Sequence, residues 1–201
     1  MQPIARQAVV FALAGWSGFF VMAVELLSGR ILAPNFGNSI YVWGGVITVF
    51  MLALSVGYLL GGHYSVHSPS LRRLGAILIA ASVATLPVVA LGDPVLNWIF
   101  DRINDPRYGS LMAASTLFFV PTAISGAVSP YAIRLLVTRL QASGRSAGIV
   151  YFVSTFGSAA GTILTSFYLV ALFEVDQILM GIMAISAGLG LLAILFKDVK
   201  Q

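Results

Sequence analysis

Long apolar runs recur along the chain, each closed off by charge, proline or glycine, and together they occupy most of its 201 residues. The runs fall at about 8–31, 41–62, 74–91, 108–128, 147–172 and 178–196. A helix needs roughly 20 such residues to cross the hydrocarbon of a bilayer, whereas the strands of a barrel would alternate over about ten. Because hydrocarbon offers no water to backbone N–H and C=O groups, these runs predict six transmembrane helices. The first run continues through Glu25 to Pro34 without a short apolar core and small-residue cleavage site, so it reads as a permanent span rather than a signal peptide.

The longest connection, "GDPVLNWIFDRINDPRYG", lies between the third and fourth spans. Asp93 followed by Pro94 is a helix-start pattern, and Val95, Leu96, Trp98, Ile99 and Ile103 follow at helical spacing. This predicts a separate short helix on the outer interface, with Trp98 at headgroup level. Composition adds that 59% of residues are hydrophobic and 9% charged, which leaves no stretch for a soluble domain.

The basic residues set the orientation. With a cytoplasmic N-terminus, that side receives Arg6, Arg72, Arg73, Arg134, Arg139, Arg145, Lys197 and Lys200, and the opposite side only Arg30, Arg102 and Arg107. By the positive-inside rule both termini are then expected in the cytoplasm, and the net charge of +4 is a topology signature rather than a nucleic-acid footprint. The absence of cysteine excludes disulfides, thiolate metal sites and cysteine nucleophiles.

Candidate chemistry is sparse. Glu25 falls deep in the first span, where an unpaired carboxylate costs about 2.5–3.5 kcal/mol on insertion scales. Arg30 is the nearest cation, but five residues of helix rotate it about 140° away, so the two are not expected to pair. Glu25 either faces a polar cavity, as a solute, ion or proton site, or makes a structural hydrogen bond to a neighbouring helix, with Arg30 reaching the outer headgroups. Arg134, in "SPYAIRLLVTRL", lies where the fourth helix is expected to run on past Pro130 with a kink; it either snorkels to lipid phosphate or forms an anion site at a cavity mouth. His63 and His67 are one turn apart, but with no nearby acid or thiol they make a poor metal site, and no metal or other cofactor is expected. The hydroxyls of "YFVSTFGSAAGTILTSFY" lack an activating base, and "GYLLGGHY" lacks the lysine and strand of a phosphate loop, so no enzyme is expected.

Splitting the spans three and three exposes an echo. Gly57 and Gly61 in the second span, and Gly157 and Gly161 in the fifth, are pairs of small residues one turn apart that let helix backbones meet closely, within the chain or between two copies. Charge belongs instead to the first span, with Glu25 and Arg30, and to the end of the fourth, with Arg134. Such division of labour is what a repeat-built transporter half displays.

The segments "ELLSGRILAPNFGNSIYVWGGVI", "GYLLGG", "SPYAIRLL" and "GRSAGIVYFVSTFGSAAGTI" together resemble the membrane part of the bacterial fused major facilitator/spermidine synthase family, from about Glu25 to Leu172. The matching positions are Glu25, Arg30, Pro34, Gly37, Trp43, Gly57, Gly61, Gly62, Pro130, Arg134, Gly144, Gly148, Tyr151, Gly157 and Gly161. The resemblance implies an all-α membrane protein of six helices, similar to one half of a major facilitator transporter, in the bacterial inner membrane. Many members continue into an aminopropyltransferase-like domain; here the chain stops at Gln201, so such an enzyme is expected, if anywhere, on a separate cytosolic chain. A second departure is the loop "HYSVHSPSLRRL", which lacks the basic and acid-basic residues usual after the glycines, although Arg72 and Arg73 remain.

The expectation is therefore a half-transporter binding or moving a small solute, a polyamine or other cation, through a cavity lined by Glu25, Arg30 and Arg134. It would work as a homodimer across the second and fifth spans. The alternative is a non-transporting scaffold that anchors or stabilises a larger membrane or cytosolic complex.

Overall fold

The computed structural model describes residues 4–66, 69–137 and 143–196. His67, Arg139, Lys197 and Lys200, used above for the metal and charge readings, lie outside the described residues. The described chain is all helix, in the order α1 (Ile4–Phe36), α2 (Ile40–Tyr64), α3 (Leu71–Phe100), α4 (Pro106–Gly126), α5 (Val128–Leu136), α6 (Ser143–Leu164), a π turn (Thr165–Leu169), α7 (Val170–Leu172) and α8 (Val175–Leu195). Taking α4 with α5, and α6 through α7, as single crossings gives six segments long and apolar enough to span a bilayer. The chain is a multi-pass membrane protein.

The expected separate helix on the third connection does not exist. α3 runs unbroken through both Pro87 and Pro94 to Phe100. Val88, Gly92, Leu96 and Ile99 form one buried stripe that crosses Pro94 in helical phase, and packing along that stripe holds the helix on course where proline removes one backbone bond. The Asp–Pro start operates at the far end of the same connection, where Asp105 accepts from the Arg107 backbone N–H at 2.9 Å with Pro106 in the first turn. The Arg107 guanidinium also holds the Asp105 carboxylate, 2.7 Å at the closest, and keeps its pKa below the ordinary aspartate value. Trp98 is exposed, and the Arg102 guanidinium stacks 4.0 Å from its ring centroid.

The fourth crossing does kink, at Ala127. Pro130 cannot donate to Gly126, and the Ala127 N–H bonds back only three residues, to Ile124. Tyr131 then anchors α5, its hydroxyl accepting from the Ser70 backbone N–H at 3.2 Å.

Two buried clusters divide the bundle along its length. One joins Phe20, Leu27, Val46, Phe50, Leu96, Phe118 and Leu179, near the α1–α2 turn. The other joins Leu13, Leu71, Leu74, Tyr131, Leu135 and Ala193, near the opposite end. Consecutive crossings therefore run antiparallel.

Three seams hold the crossings together, α1 on α6, α2 on α4, and α3 on α8. Each is built on small residues. A Cβ at Gly157 would strike the Gly15 carbonyl, one at Gly161 the backbone of Phe19, and one at Gly18 the carbonyl of Ser154. Gly57 and Gly61 sit likewise against the backbones of Ala123 and Ala127, and Gly75 and Gly190 face each other across the third seam. The four glycines expected to serve helix packing or a dimer thus rest on backbones within the chain. The third and sixth crossings are also packed through glycine, which the sequence reading did not single out.

In a solvent-exposed helix glycine to alanine is favourable by about 1 kcal/mol, but insertion of a methyl group into backbone contact costs about 1–3 kcal/mol. Gly57→Ala and Gly157→Ala should therefore lower the thermal midpoint in detergent. Gly44→Ala and Gly148→Ala, whose Cβ would meet nothing within 4 Å, should leave it unchanged or raise it.

Candidate functional site

Where α1, α2, the α4–α5 kink and α6 converge, the small residues that permit close packing leave a polar hollow of about 70 Å³. Ser17, Ser125, Ser129, Ser154 and Ser158 line it, with Tyr58 at its edge. Its hydroxyls are held by the bundle: Ser17 donates to the Ser125 carbonyl at 3.2 Å, Ser125 to Pro121 at 2.9 Å, and Ser158 to Ser154 at 3.1 Å. Ser129 and Ser154 face each other at 3.5 Å. A space of this size, ringed by hydroxyl oxygens with spare lone pairs, can hold water. Tyr58 is 47% exposed, so the hollow adjoins the surface beside α2.

Glu25 lies one helical turn beyond Val21 and Met22, which line the hollow, but is not itself part of the lining. Its side chain is half-buried and has no hydrogen-bond or ion-pair partner among the described residues; the nearby Ser28 hydroxyl donates to its backbone carbonyl instead, at 2.6 Å. Arg30 is exposed and does not meet Glu25, as the helical rotation requires. It lines a different cavity, of about 260 Å³, with Asn38, Trp43, Thr165 and Ser166. Arg134 is exposed near the end of α5, among residues of the second cluster, while Glu25 and Arg30 sit at the level of the first. The three residues expected to share one cavity are therefore spread along the bundle.

Tyr58 and the serines were not singled out by the sequence as a site. Serine occurs throughout these spans, and nothing in its spacing distinguishes a hydroxyl that meets others across a crossing from one that bonds its own helix. A larger groove, of about 570 Å³ along Pro94, Trp98 and Met112, is apolar and open at the surface. Among the described residues no group of His, Asp or Glu could hold a metal ion. No protein-family model, curated protein or solved structure matches this chain.

A hollow that admits water should reveal itself to water-soluble thiol reagents, because only a hydrated thiol ionises and reacts readily. With no native cysteine as background, Ser158→Cys and Tyr58→Cys should label at least about tenfold faster in membranes than Leu52→Cys on the exposed apolar face of α2. Equal rates would mean the hollow is dry.

Proposed function

We propose that this chain is one half of a membrane transporter, binding or moving a small solute along α1 and α4–α5, with two copies meeting across α2 and α6 to enclose the path. The single observation that carries the reading is the hydroxyl-lined hollow at the helix crossing, one turn from an unpaired carboxylate. A half-buried Glu25 with no protein partner among the described residues is expensive in a bilayer unless a cation, a proton or water satisfies it.

The packing order supports a 3+3 arrangement. Exchanging the first crossing with the fourth and the second with the fifth turns the α1–α6 seam into the α4–α2 seam, while the α3–α8 seam maps onto itself. The outer faces of α2 and α6 support a dimer: Met51, Leu52 and Leu59 are exposed on one, and Phe152 and Phe156 on the other. The motif resemblance to the fused major facilitator/spermidine synthase family would make the solute a polyamine or another cation, with Glu25 as counter-charge, in a bacterial inner membrane, and the distribution of basic residues would put both termini on its cytoplasmic side.

One observation favours a second reading, a scaffold that anchors a larger complex without transport. The serine hydroxyls already donate within the bundle and the charged residues do not converge, so all of them could serve as structural glue.

Flux of labelled spermidine into proteoliposomes separates the two. Transport requires uptake that falls at least about tenfold in Glu25→Gln at equal reconstitution. Absence of uptake by the native chain, together with co-purifying partner proteins from membranes, supports the scaffold. Cysteines placed at Val56 and Phe156 should form cross-links between copies if the dimer exists, and monomer alone would count against it.

A further inference from the structure

Beyond that reading, we propose that the cavity at the α1–α2 turn is a binding site for an anionic group bearing phosphate or carboxylate oxygens, held by Arg30 and Thr165. Its walls are built from four elements of sequence. Gly37, with φ of +77°, closes the tight turn after α1 and brings Asn38 over the start of α2. Asn38 accepts from the Trp43 indole N–H at 2.6 Å, which fixes the ring against α1. Gly29 makes room for it: a Cβ there would lie 2.6 Å from the ring. The far wall is Thr165 and Ser166 at the start of the π turn, where the Val170 N–H reaches back five residues to the Thr165 carbonyl. Such wide turns inside α-helices are frequent at functional sites.

Two observations point independently to a ligand. Arg30 brings a guanidinium to this cavity with no acidic partner among the described residues. Thr165 is fully buried and its hydroxyl has no hydrogen-bond partner, whereas its neighbours Thr162 and Ser166 donate to carbonyls four residues back, at 3.0 and 2.5 Å. A buried hydroxyl left unsatisfied is costly, and an anion's oxygen is an acceptor that would take its proton. The guanidinium supplies a forked pair of N–H donors of the geometry carboxylates and phosphates accept. The volume, about 260 Å³, suits a phosphate or small carboxylate with a short attached chain. The group belongs either to a lipid headgroup, since the cavity lies near one end of the spans, or to a free solute.

The test uses the full chain in phosphatidylcholine nanodiscs with Trp16→Phe and Trp98→Phe, leaving Trp43 as the only indole fluorophore. One arm titrates inorganic phosphate and then succinate. The other replaces part of the lipid with phosphatidylglycerol. A saturable change in Trp43 emission in the first arm identifies a soluble anion, and one seen only in the second identifies a headgroup; either is expected to vanish in Arg30→Gln. Arg30→Lys should retain part of the affinity, because it keeps the charge and loses the fork. Thr165→Val should weaken binding about tenfold while holding or raising the thermal midpoint of the empty protein, since it removes an unsatisfied hydroxyl at nearly constant volume. Arg134→Gln, at the other end of the bundle, should change nothing. The proposal is overturned if neither arm responds, if Arg30→Gln and Thr165→Val bind as well as the parent, or if Arg134→Gln abolishes the response equally. None of these readouts depends on transport, so the site and the half-transporter reading fail separately.

Discussion

Helices in hydrocarbon gain nothing by hiding leucine from lipid, because the tails are as apolar as the side chains. What holds them together is the dispersion energy of close approach and the few hydrogen bonds that cross between them. In this chain that constraint is met at three seams where glycines on one helix, Gly57, Gly61, Gly157, Gly161 and Gly190 among them, rest on the backbone of another. The large residues of the two buried clusters fill the space that these contacts define. The polar hollow is a by-product of the same rule. Residues small enough to let backbones touch are also the ones that leave gaps, and here those small residues are serines.

The departures from regular helix lie beside the cavities. The kink at Ala127 adjoins Ser125, Gly126 and Ser129 of the hollow, and the π turn begins at Thr165 on the wall of the Arg30 cavity. Prolines elsewhere, at positions 34, 87 and 94, pass without breaking the helix. Proline deletes one backbone bond; whether the helix then stops depends on whether the buried stripe on either side stays in phase, as it does from Val88 to Ile99.

The charged residues follow a related logic. An ionised group within a span needs water, a ligand, a headgroup or a protein partner. Glu25 and Arg30 have no protein partner among the described residues, and each sits near a different polar opening.

The number of crossings was legible from the letters alone, because bilayer thickness sets a length that apolar runs either reach or do not. The inability of Glu25 and Arg30 to pair followed equally from helical rotation. So did the role of the glycine pairs as close-packing surfaces, though not their partners: whether Gly157 would meet Gly15 or a second copy is a matter of which helices become neighbours. The same holds for the continuity of α3 through Pro94, decided by its packing stripe, and for the serine hollow, whose members come from crossings up to 141 residues apart in the chain. Thr165 is the sharpest case. Its sequence neighbours bond their own helix, and only the π turn and the burial around it leave its hydroxyl without an acceptor. Local rules read length and rotation, while adjacency and satisfaction are properties of the assembled bundle.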